Sequence, residues 1–329
     1  MPLPEILTRP LALPVVGSPL FIVSGPELVI AQCEAGVIGS FPALNARPQE
    51  VLHDWLDRIT EELAKFAADN PDKPVAPYAV NQIVHRSNDR LDADVQACVD
   101  HEVPIVITSL GARADVYDAI HSYGGIVLHD VINNDFAHKA IDKGADGLIA
   151  VAAGAGGHAG TQSPFALLQE IREWFDGPLL LSGSIAHGRN ILAAQAAGAD
   201  MAYIGSAFIA TEEANAAQGY KQMLVDSQAG DIVYSNLFTG VHGNYLRGSI
   251  INAGLDPVAL PESDPSKMNF GSGGNTKSKA WKDIWGSGQG VGVIKDVPPV
   301  ADLVARMRRE YDEARERLQG LTQQAELVG

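Results

Sequence analysis

The sequence predicts an α/β protein, a (β/α)8 barrel with a lid or insertion subdomain in its C-terminal third. Eight short apolar runs occur before residue 211, and helical patterns lie between them. Continuous apolar runs that alternate with helices are typical of parallel strands buried on both faces. A doubly wound open sheet is the alternative. It is disfavoured because the chain lacks the Gly-x-Gly-x-x-Gly that opens the first helix of that fold.

The predicted strands are short, and most are followed by a predicted helix. The strands are Pro14–Val16, Val37–Ser40, Val75–Val80, Pro104–Thr108, Gly125–His129, Gly147–Val151, Pro178–Ser182 and Met201–Ile204. The helices are Pro26 to near Gly36, Gln49–Ala68, Asp92–His101, Asp115–Tyr123, Asp135–Lys143, Pro164–Phe175 and Arg189–Ala197. Pro26 suits a first helical turn, since that position needs no backbone N–H donor.

The alternation stops after residue 211. The stretch that follows is rich in glycine and proline, and long irregular stretches of this kind are commonly lids or binding insertions. We therefore expect a barrel over residues 1–211, a lid over 212–300 and a C-terminal helix over 301–329 that packs on the barrel. Within the lid, His242, Asn244, Tyr245 and Arg247 are candidates to line the substrate side, or to be structural.

The charge and composition of the chain disfavour nucleic acid and membranes as partners. The chain has 40 acidic and 24 basic residues, a net charge of −16, which disfavours nucleic acid and anionic membranes. No apolar run approaches the roughly 18 residues of a membrane span. The only cysteines, Cys33 and Cys98, lack metal-ligand spacing, so we expect packed thiols, no metal site and a cytoplasmic location. The net charge gives no information on whether the protein forms a homodimer, which stays possible.

The residues that follow the strands are the candidates for chemistry, because the active site of this fold forms at the carboxyl ends of its strands. Polar or loop residues stand at seven of these ends. They are Pro19-Leu20-Phe21, Asn81-Gln82, Ser109, His129-Asp130, the loop 154–160, Ser182-Gly183-Ser184 and Gly205-Ser206.

The loop 154–160 reads Gly-Ala-Gly-Gly-His-Ala-Gly, so four glycines surround His158. Glycine lets main chain approach a flat ring closely, and the loop would then present one imidazole to that ring. The alternative interpretation is a glycine turn with an incidental surface histidine.

Two glycine-serine segments point to a phosphate. Ser182-Gly183-Ser184 and Gly205-Ser206 both precede predicted helix starts, after strands seven and eight, where phosphate commonly docks in this fold. Backbone N–H groups at a helix start bind phosphate without a basic side chain, which suits an acidic protein. Since Gly-Ser turns are common, the two segments carry weight only together.

These motifs, in this order, resemble the nitronate monooxygenase (2-nitropropane dioxygenase) family of FMN-dependent barrels over most of the chain. Asn81, after Pro77–Val80, and the segment Trp285–Gln289 match as well. Two positions depart from the family pattern. Gly154 stands where many relatives have glutamate, and Ser18-Pro19-Leu20 stands where the first loop commonly carries a methionine.

The resemblance implies bound FMN, and nitronate and O2 as small-molecule substrates that give a carbonyl compound and nitrite. It gives His158 the role of active-site base or hydrogen-bond donor beside the flavin. It implies FMN binding by Pro19, Leu20, Asn81, His129, Gly156, Gly157, Ser182, Gly183, Ser184, Gly205, Ser206 and Gln289. The family also contains NAD(P)H-dependent reductases of quinones and enoyl thioesters, which are the alternative function. A third alternative is a non-catalytic barrel that binds a small phosphate.

Overall fold

The computed structural model describes residues 3–263 and 283–326. Eleven strands lie in these ranges: β1 (Val15–Gly17), β2 (Gly39–Pro42), β3 (Tyr78–Ile83), β4 (Ile105–Ser109), β5 (Ile126–Val131), β6 (Gly147–Val151), β7 (Gly157–His158), β8 (Leu179–Ser182), β9 (Met201–Ile204), β10 (Ile232–Ser235) and β11 (Gly243–Leu246). Eight form one parallel sheet in the order β1-β9-β8-β6-β5-β4-β3-β2, and β10-β11-β7 form a second sheet.

The eight-stranded sheet closes on itself. Val16 in β1 forms a parallel bridge with Ile38, just before β2, and the Gly17 amide donates to the Ile38 carbonyl at 2.8 Å. A parallel sheet whose last strand returns to its first is a barrel. The predicted barrel is therefore confirmed, and the open-sheet alternative is wrong.

The described helices include one after nearly every barrel strand. They are α1 (Glu5–Thr8), α2 (Pro26–Glu34), α3 (Val51–Asp69), α4 (Leu91–Asp100), α5 (Ala114–His121), α6 (Asn134–Asp142), α7 (Pro164–Arg172), α8 (Gly188–Ala196), α9 (Ser206–Ile209), α10 (Gln218–Asp226), α11 (Arg247–Asn252) and α12 (Val300–Glu326). In α3 the buried residues are Leu52, Leu56, Ile59 and Leu63, a spacing that puts one apolar stripe against the barrel. None of the described helices combines the length and apolar character needed to cross a bilayer.

The barrel interior is a packed core. It is filled by alternate residues of the strands, and this layer includes Val16, Ile38, Ala79, Ile107, Leu128, Ile149, Leu180 and Tyr203. Because successive side chains of a strand point to opposite faces, the residue two positions further on points inward as well. Those inward positions at the carboxyl ends are Asn81, Ser109, Asp130 and Ser182, which form a polar layer above the apolar one.

Some strand ends lie further along the chain than the sequence predicts. The third strand was expected to end at Val80, but β3 continues to Ile83, and the fifth continues past His129 to Val131. Asn81 and Gln82 are therefore paired with Ile107 and Thr108 in the ladder and do not follow the strand. Hydrogen bonding to a neighbouring strand extends these strands over polar residues that an apolar pattern does not include.

The second sheet joins the lid segment to a barrel loop. In the lid, β10 and β11 form an antiparallel pair, and β11 pairs with β7, which belongs to the loop after β6. The C-terminal helix α12 packs on the outside through Val300, Leu303 and Met307, all buried. The division into three domains stays a prediction.

Both cysteines are packed inside the fold. Cys33 lies on α2 and Cys98 on α4, both are fully buried, and neither is in a disulfide. Burial raises the pKa of each thiol to about 12, so neither ionises near neutral pH. They are inert core residues.

Candidate active site

A chain of hydrogen bonds links the inward polar residues of three neighbouring strands. The Asn81 amide in β3 donates to the Ser109 hydroxyl in β4 at 2.8 Å, and Ser109 donates to Asp130 Oδ2 in β5 at 2.6 Å. Asn81 also donates to the Ile107 carbonyl at 3.2 Å. The chain therefore runs from an amide to a carboxyl group at the carboxyl ends of the strands.

Asp130 is the acidic end of this chain. Its Oδ1 is buried and has no hydrogen-bond partner among the described residues. Burial raises the pKa of Asp130 to about 6, against the opposing effect of the Ser109 hydroxyl. Asp130 also helps to raise the pKa of Tyr203 on β9, so the two side chains are close enough to interact inside the barrel. Sequence reasoning gave His129 more weight than Asp130. Asp130 could have been given more weight from the sequence, because it lies two residues after the inward-facing Leu128 and so faces inward as well.

His129 points the other way. Its Nδ1 lies 2.7 Å from Thr108 Oγ1 and 3.0 Å from the Tyr117 hydroxyl on α5, between the sheet and its outer helices. Burial lowers the pKa of His129 to about 4. The structure does not bring His129 together with the other predicted cofactor residues, since strand alternation puts it on the opposite face from Asp130.

The glycine loop after β6 joins two segments that lie far apart in sequence. The Gly154 carbonyl accepts the Ser184 amide at 3.2 Å and the Gln289 amide at 2.9 Å. Gly154 has φ +84°, and a Cβ there would overlap Ser184 Oγ. The structure therefore brings the loop 154–160, the segment 182–184 and Gln289 to one place, as the sequence predicts.

Gly156 and Ser206 belong to the same assembly. The Gly288 amide donates to Ser206 Oγ at 2.8 Å. A Cβ on Gly156 would lie 2.8 Å from the Gly288 nitrogen, and a Cβ on Gly288 would lie 2.6 Å from the Gly154 carbonyl oxygen. The loops 154–156, 205–206 and 287–290 thus pack through main chain, while Gly156, Ser184 and Gln289 stay exposed at the surface.

The two glycine-serine segments differ in what surrounds them. Helix α8, which follows Ser184, has its first amides occupied: Gly188 donates to Glu310 Oε2 of α12 at 2.8 Å, and Arg189 donates to His187 Nδ1 at 3.2 Å. The expected contribution of this helix start to a phosphate site is therefore taken up by protein groups. The backbone of Gly183 and Ser184, the latter at φ +57°, remains beside the Gly154 loop.

The first barrel loop reaches the same region. Leu20 Cδ2 would lie 3.2 Å from a Cβ on Gly205, so the loops after β1 and β9 are neighbours. Asn45 holds this loop, since its Nδ2 donates to the Leu20 and Ser24 carbonyls at 2.9 and 2.8 Å, and its Oδ1 accepts the Ile22 amide at 2.9 Å. Ile22 has φ +67°, which is unfavourable for a β-branched residue. Leu20, and Pro19 before it, are thereby held beside Gly205.

His158 sits in β7 and is held by the lid sheet. It pairs with Gly243 of β11, and its Nε2 lies 3.1 Å from Thr239 Oγ1. Asn244 donates to the Ala155 carbonyl at 2.6 Å, which ties the same strand to the glycine loop. Burial lowers the pKa of His158 to about 4, so the imidazole is neutral at pH 7.

Comparison with known proteins identifies the family. The profile of the nitronate monooxygenase family matches residues 6–310 of this chain. The nitronate monooxygenase of Paraburkholderia phytofirmans is 26% identical over 93% of this chain and 94% of its own. The chain belongs to the nitronate monooxygenase family. The predicted family is confirmed, and the protein is an oxidoreductase of a flavin-dependent family.

Solved structures agree with this placement in the nitronate monooxygenase family. A nitroalkane oxidase from Streptomyces ansochromogenes superposes with a TM-score of 0.78 and 25% identity, covering 93% of this chain and 97% of its own. FabK from Thermotoga maritima has a TM-score of 0.75 and 23% identity, covering 96% and 97%, a likeness of fold.

The Gly154 departure from the usual nitronate monooxygenase pattern has a local cause. The resemblance set this glycine against a glutamate, and in this chain a Cβ on Gly154 would meet Ser184 Oγ and Gln289 Oε1. The positive φ of Gly154 also disfavours any residue with a Cβ. A larger residue at this position would require the Ser184 and Gln289 side chains to turn away and would be strained by the positive φ.

Proposed function

We propose that this chain is an FMN-dependent nitronate monooxygenase that oxidises alkyl nitronates with O2 to a carbonyl compound and nitrite. The observation that carries the proposal is the setting of His158. A neutral imidazole ends a glycine loop whose main chain also joins the segments at Ser184 and Gln289. Family membership supports the reaction class, and this geometry supports the residue that would serve it.

FMN, when bound, supplies the redox chemistry by taking electrons from the substrate and passing them to oxygen. Two features of the chain fit it. Apart from its two chain neighbours, no described residue has an atom within 4 Å of the position that a Cβ on Gly157 would occupy, so there is room for a flat ring beside it. Asn81 and Asp130 put amide and carboxyl groups at the ends of β3 and β5, on either side of β4, suited to the polar edge of such a ring.

The other proposed contacts to FMN fall into two groups, those to its phosphate and those to its ring. We assign the phosphate to main chain at Gly183, Gly205 and Ser206 and to the hydroxyl of Ser184, because these loops lie close together through the 287–290 segment. We assign the ring to Pro19, Leu20, Gly156, Gly157 and Gln289, which lie at the loops around Gly154 and Gly205. Ser182 supports the cradle as an inward residue of β8.

His158 would act as a neutral group. In this state the imidazole can donate a hydrogen bond to a nitro oxygen of a nitronate, or, with a neutral nitroalkane as substrate, take the α-proton. Because its pKa is about 4, His158 stays unprotonated above about pH 5. The proposal therefore expects turnover to fall on acidification toward pH 4, with no His158 titration near pH 6.5.

The reaction is tested by anaerobic stopped-flow absorbance of the FMN-loaded protein, mixed separately with propyl-2-nitronate, NADH and NADPH. Rapid flavin reduction by nitronate alone, with nitrite formed once O2 is admitted, supports the proposal. Reduction by a nicotinamide and not by nitronate refutes it in favour of a reductase of quinones or enoyl thioesters. A purified protein that takes up no flavin would leave only a phosphate-binding barrel.

We also propose a cytoplasmic location. It rests on the two cysteines, which are buried on separate helices and unlinked, as expected for a chain that folds under reducing conditions. Fractionation of the source cells with an antibody against the protein tests it.

A further inference from the structure

The loop after β1 is held by one side chain from the loop after β2. Asn45 Nδ2 directs both of its hydrogens to it, to the Leu20 carbonyl at 2.9 Å and the Ser24 carbonyl at 2.8 Å. Asn45 Oδ1 accepts the Ile22 amide at 2.9 Å. An amide side chain has two hydrogens to donate and one oxygen that accepts. Asn45 uses all of these groups on a single loop.

A second asparagine holds the same loop from the lid side. Asn215 donates through Nδ2 to the Ile22 carbonyl at 3.1 Å and through its main-chain amide to the Val23 carbonyl at 3.0 Å. Within the loop, the Ser24 amide donates to the Leu20 carbonyl at 2.9 Å. Residues 20–24, which we call the clasped loop, are therefore held from the barrel side and from the lid side.

The clasped loop contains a strained residue. Ile22 has φ +67°, a value that a β-branched side chain disfavours. Ile22 is also 40% exposed, so burial of its side chain does not account for this conformation. Such strain persists only where the surrounding structure enforces it. Here Asn45 holds the amide of Ile22 and Asn215 holds its carbonyl.

The loop that carries Asn45 is itself braced from the start of α4. Arg90 donates through Nη1 to the Ala46 carbonyl at 2.8 Å and through Nη2 to the Ala43 carbonyl at 3.3 Å. Arg90 also pairs with the buried Asp94 at 2.9 Å. These bonds fix the main chain on both sides of Asn45, so its side chain meets the clasped loop from a rigid support.

We propose that Asn45 is a positioning residue that pre-organises the clasped loop to receive the flavin ring. The inference rests on the proposed function, in which Leu20, at the start of this loop and beside Gly205, contacts the ring. A ligand binds more weakly in proportion to the fraction of molecules whose site is not in the binding conformation. Asn45 thus lowers the Kd of FMN without touching FMN.

Hydrogen exchange of the flavin-free protein, resolved by NMR, is the direct readout. In Asn45→Ala the Ile22 amide loses its acceptor and should exchange about 10-fold faster or more than in the wild type. The matched control is Asn70→Ala. Asn70 Nδ2 donates to the Phe66 carbonyl at the far end of α3, so this variant should leave exchange at Ile22 unchanged. Unchanged exchange at Ile22 in Asn45→Ala overturns the proposal.

The affinity for FMN, measured by fluorescence titration, gives a second readout. Asn45→Ala should raise the Kd of FMN about 10-fold, as expected when the clasped loop is in place in about a tenth of the molecules. Asn45→Asp keeps the acceptor for the Ile22 amide but turns an oxygen toward two carbonyls, and should raise the Kd as well. An unchanged Kd in both variants overturns the proposal.

Relief of the strain at Ile22 separates this role from a general structural one. Glycine adopts positive φ without a steric penalty, so Ile22→Gly should keep the clasped loop in place without Asn45. Asn45→Ala combined with Ile22→Gly should bind FMN within about 3-fold of Ile22→Gly alone. A loss in that background as large as in the wild type overturns the proposal. A wild-type protein that binds no FMN refutes the proposed function instead and leaves the exchange result standing.

Discussion

His129 in the barrel wall and His158 at the junction of barrel and lid are alike in protonation and unlike in surroundings. Burial lowers the pKa of each to about 4, and each contacts a threonine hydroxyl. His129 is enclosed by a strand and a helix close to it in sequence. His158 is held by a strand from the lid segment. A depressed pKa therefore reports burial, and the face on which the ring lies decides whether it can meet a ligand.

The largest expected effect separates the two histidines by turnover. His158→Asn should keep FMN bound and lower nitrite formation by about 10² or more, the scale of a lost acid–base group. His129→Asn should leave turnover within a few-fold, because its ring faces α5. Steady-state nitrite assays with flavin content measured by absorbance check both. Equal losses of nitrite formation in the two variants would show that His158 has no catalytic role that His129 lacks.

The next effect concerns the loops around His158. Ser184→Asp combined with Ser206→Asp puts two anions where we assign the FMN phosphate, and should weaken FMN binding by 10-fold or more, since like charges in a shared site repel. The control is Ser184→Asn with Ser206→Asn, which has the same shape without charge. Both Kd values come from fluorescence titration of flavin-free protein. Equal affinities would mean that the phosphate binds elsewhere.

A smaller effect sharpens the contrast between His129 and its neighbour on the opposite face. Asp130 has a raised pKa of about 6, so the folded state binds its proton more tightly than the unfolded state does. The stability that the protonated Asp130 contributes is fully present below about pH 4 and is lost as the pH rises through 6. The free energy of unfolding of Asp130→Asn, relative to that of the wild type, should therefore be higher at pH 7.5 than at pH 4.5 by about 1–2 kcal/mol.

Urea denaturation at the two pH values measures this gain. The exposed Asp135→Asn on α6 makes the same charge change away from the barrel and should show no comparable pH-dependent gain. A gain that is equal at pH 4.5 and 7.5 would contradict the raised pKa.

The last effect tests what the two histidines share, the lowering of their pKa by burial. A lowered histidine pKa means that the unfolded state binds more protons between about pH 4 and 6.5, so stability falls as the pH falls through that window. His129→Asn and His158→Asn should each reduce this slope, by at most about 1.4 kcal/mol per pH unit. Denaturation midpoints at pH 4.5, 5.5 and 6.5 measure it, with His138→Asn on the surface of α6 as the control. An unchanged slope in either variant would show that its ring is solvated.

Much of the barrel followed from local pattern. The strand at Gly147–Val151 was predicted at its observed ends, because a continuous apolar run flanked by glycines has few alternatives. The glycine loop and the two glycine-serine segments were placed near one another because the carboxyl ends of barrel strands share one face. The strands at 75–80 and 125–129 were placed with errors of a few residues. Those errors matter at the site, because a shift of one position turns a side chain to the other face.

The sequence by itself determined the eight alternating units, the loop that presents His158 and the family to which these motifs belong. These are local features, encoded by neighbouring residues. Only the tertiary structure decided that Asp130 and not His129 faces the interior, that Glu310 occupies the start of α8, and that Thr239 contacts His158. Strand ends depend on pairing with a neighbour, and contacts over 81 or 122 residues depend on how distant segments pack, which no local pattern encodes.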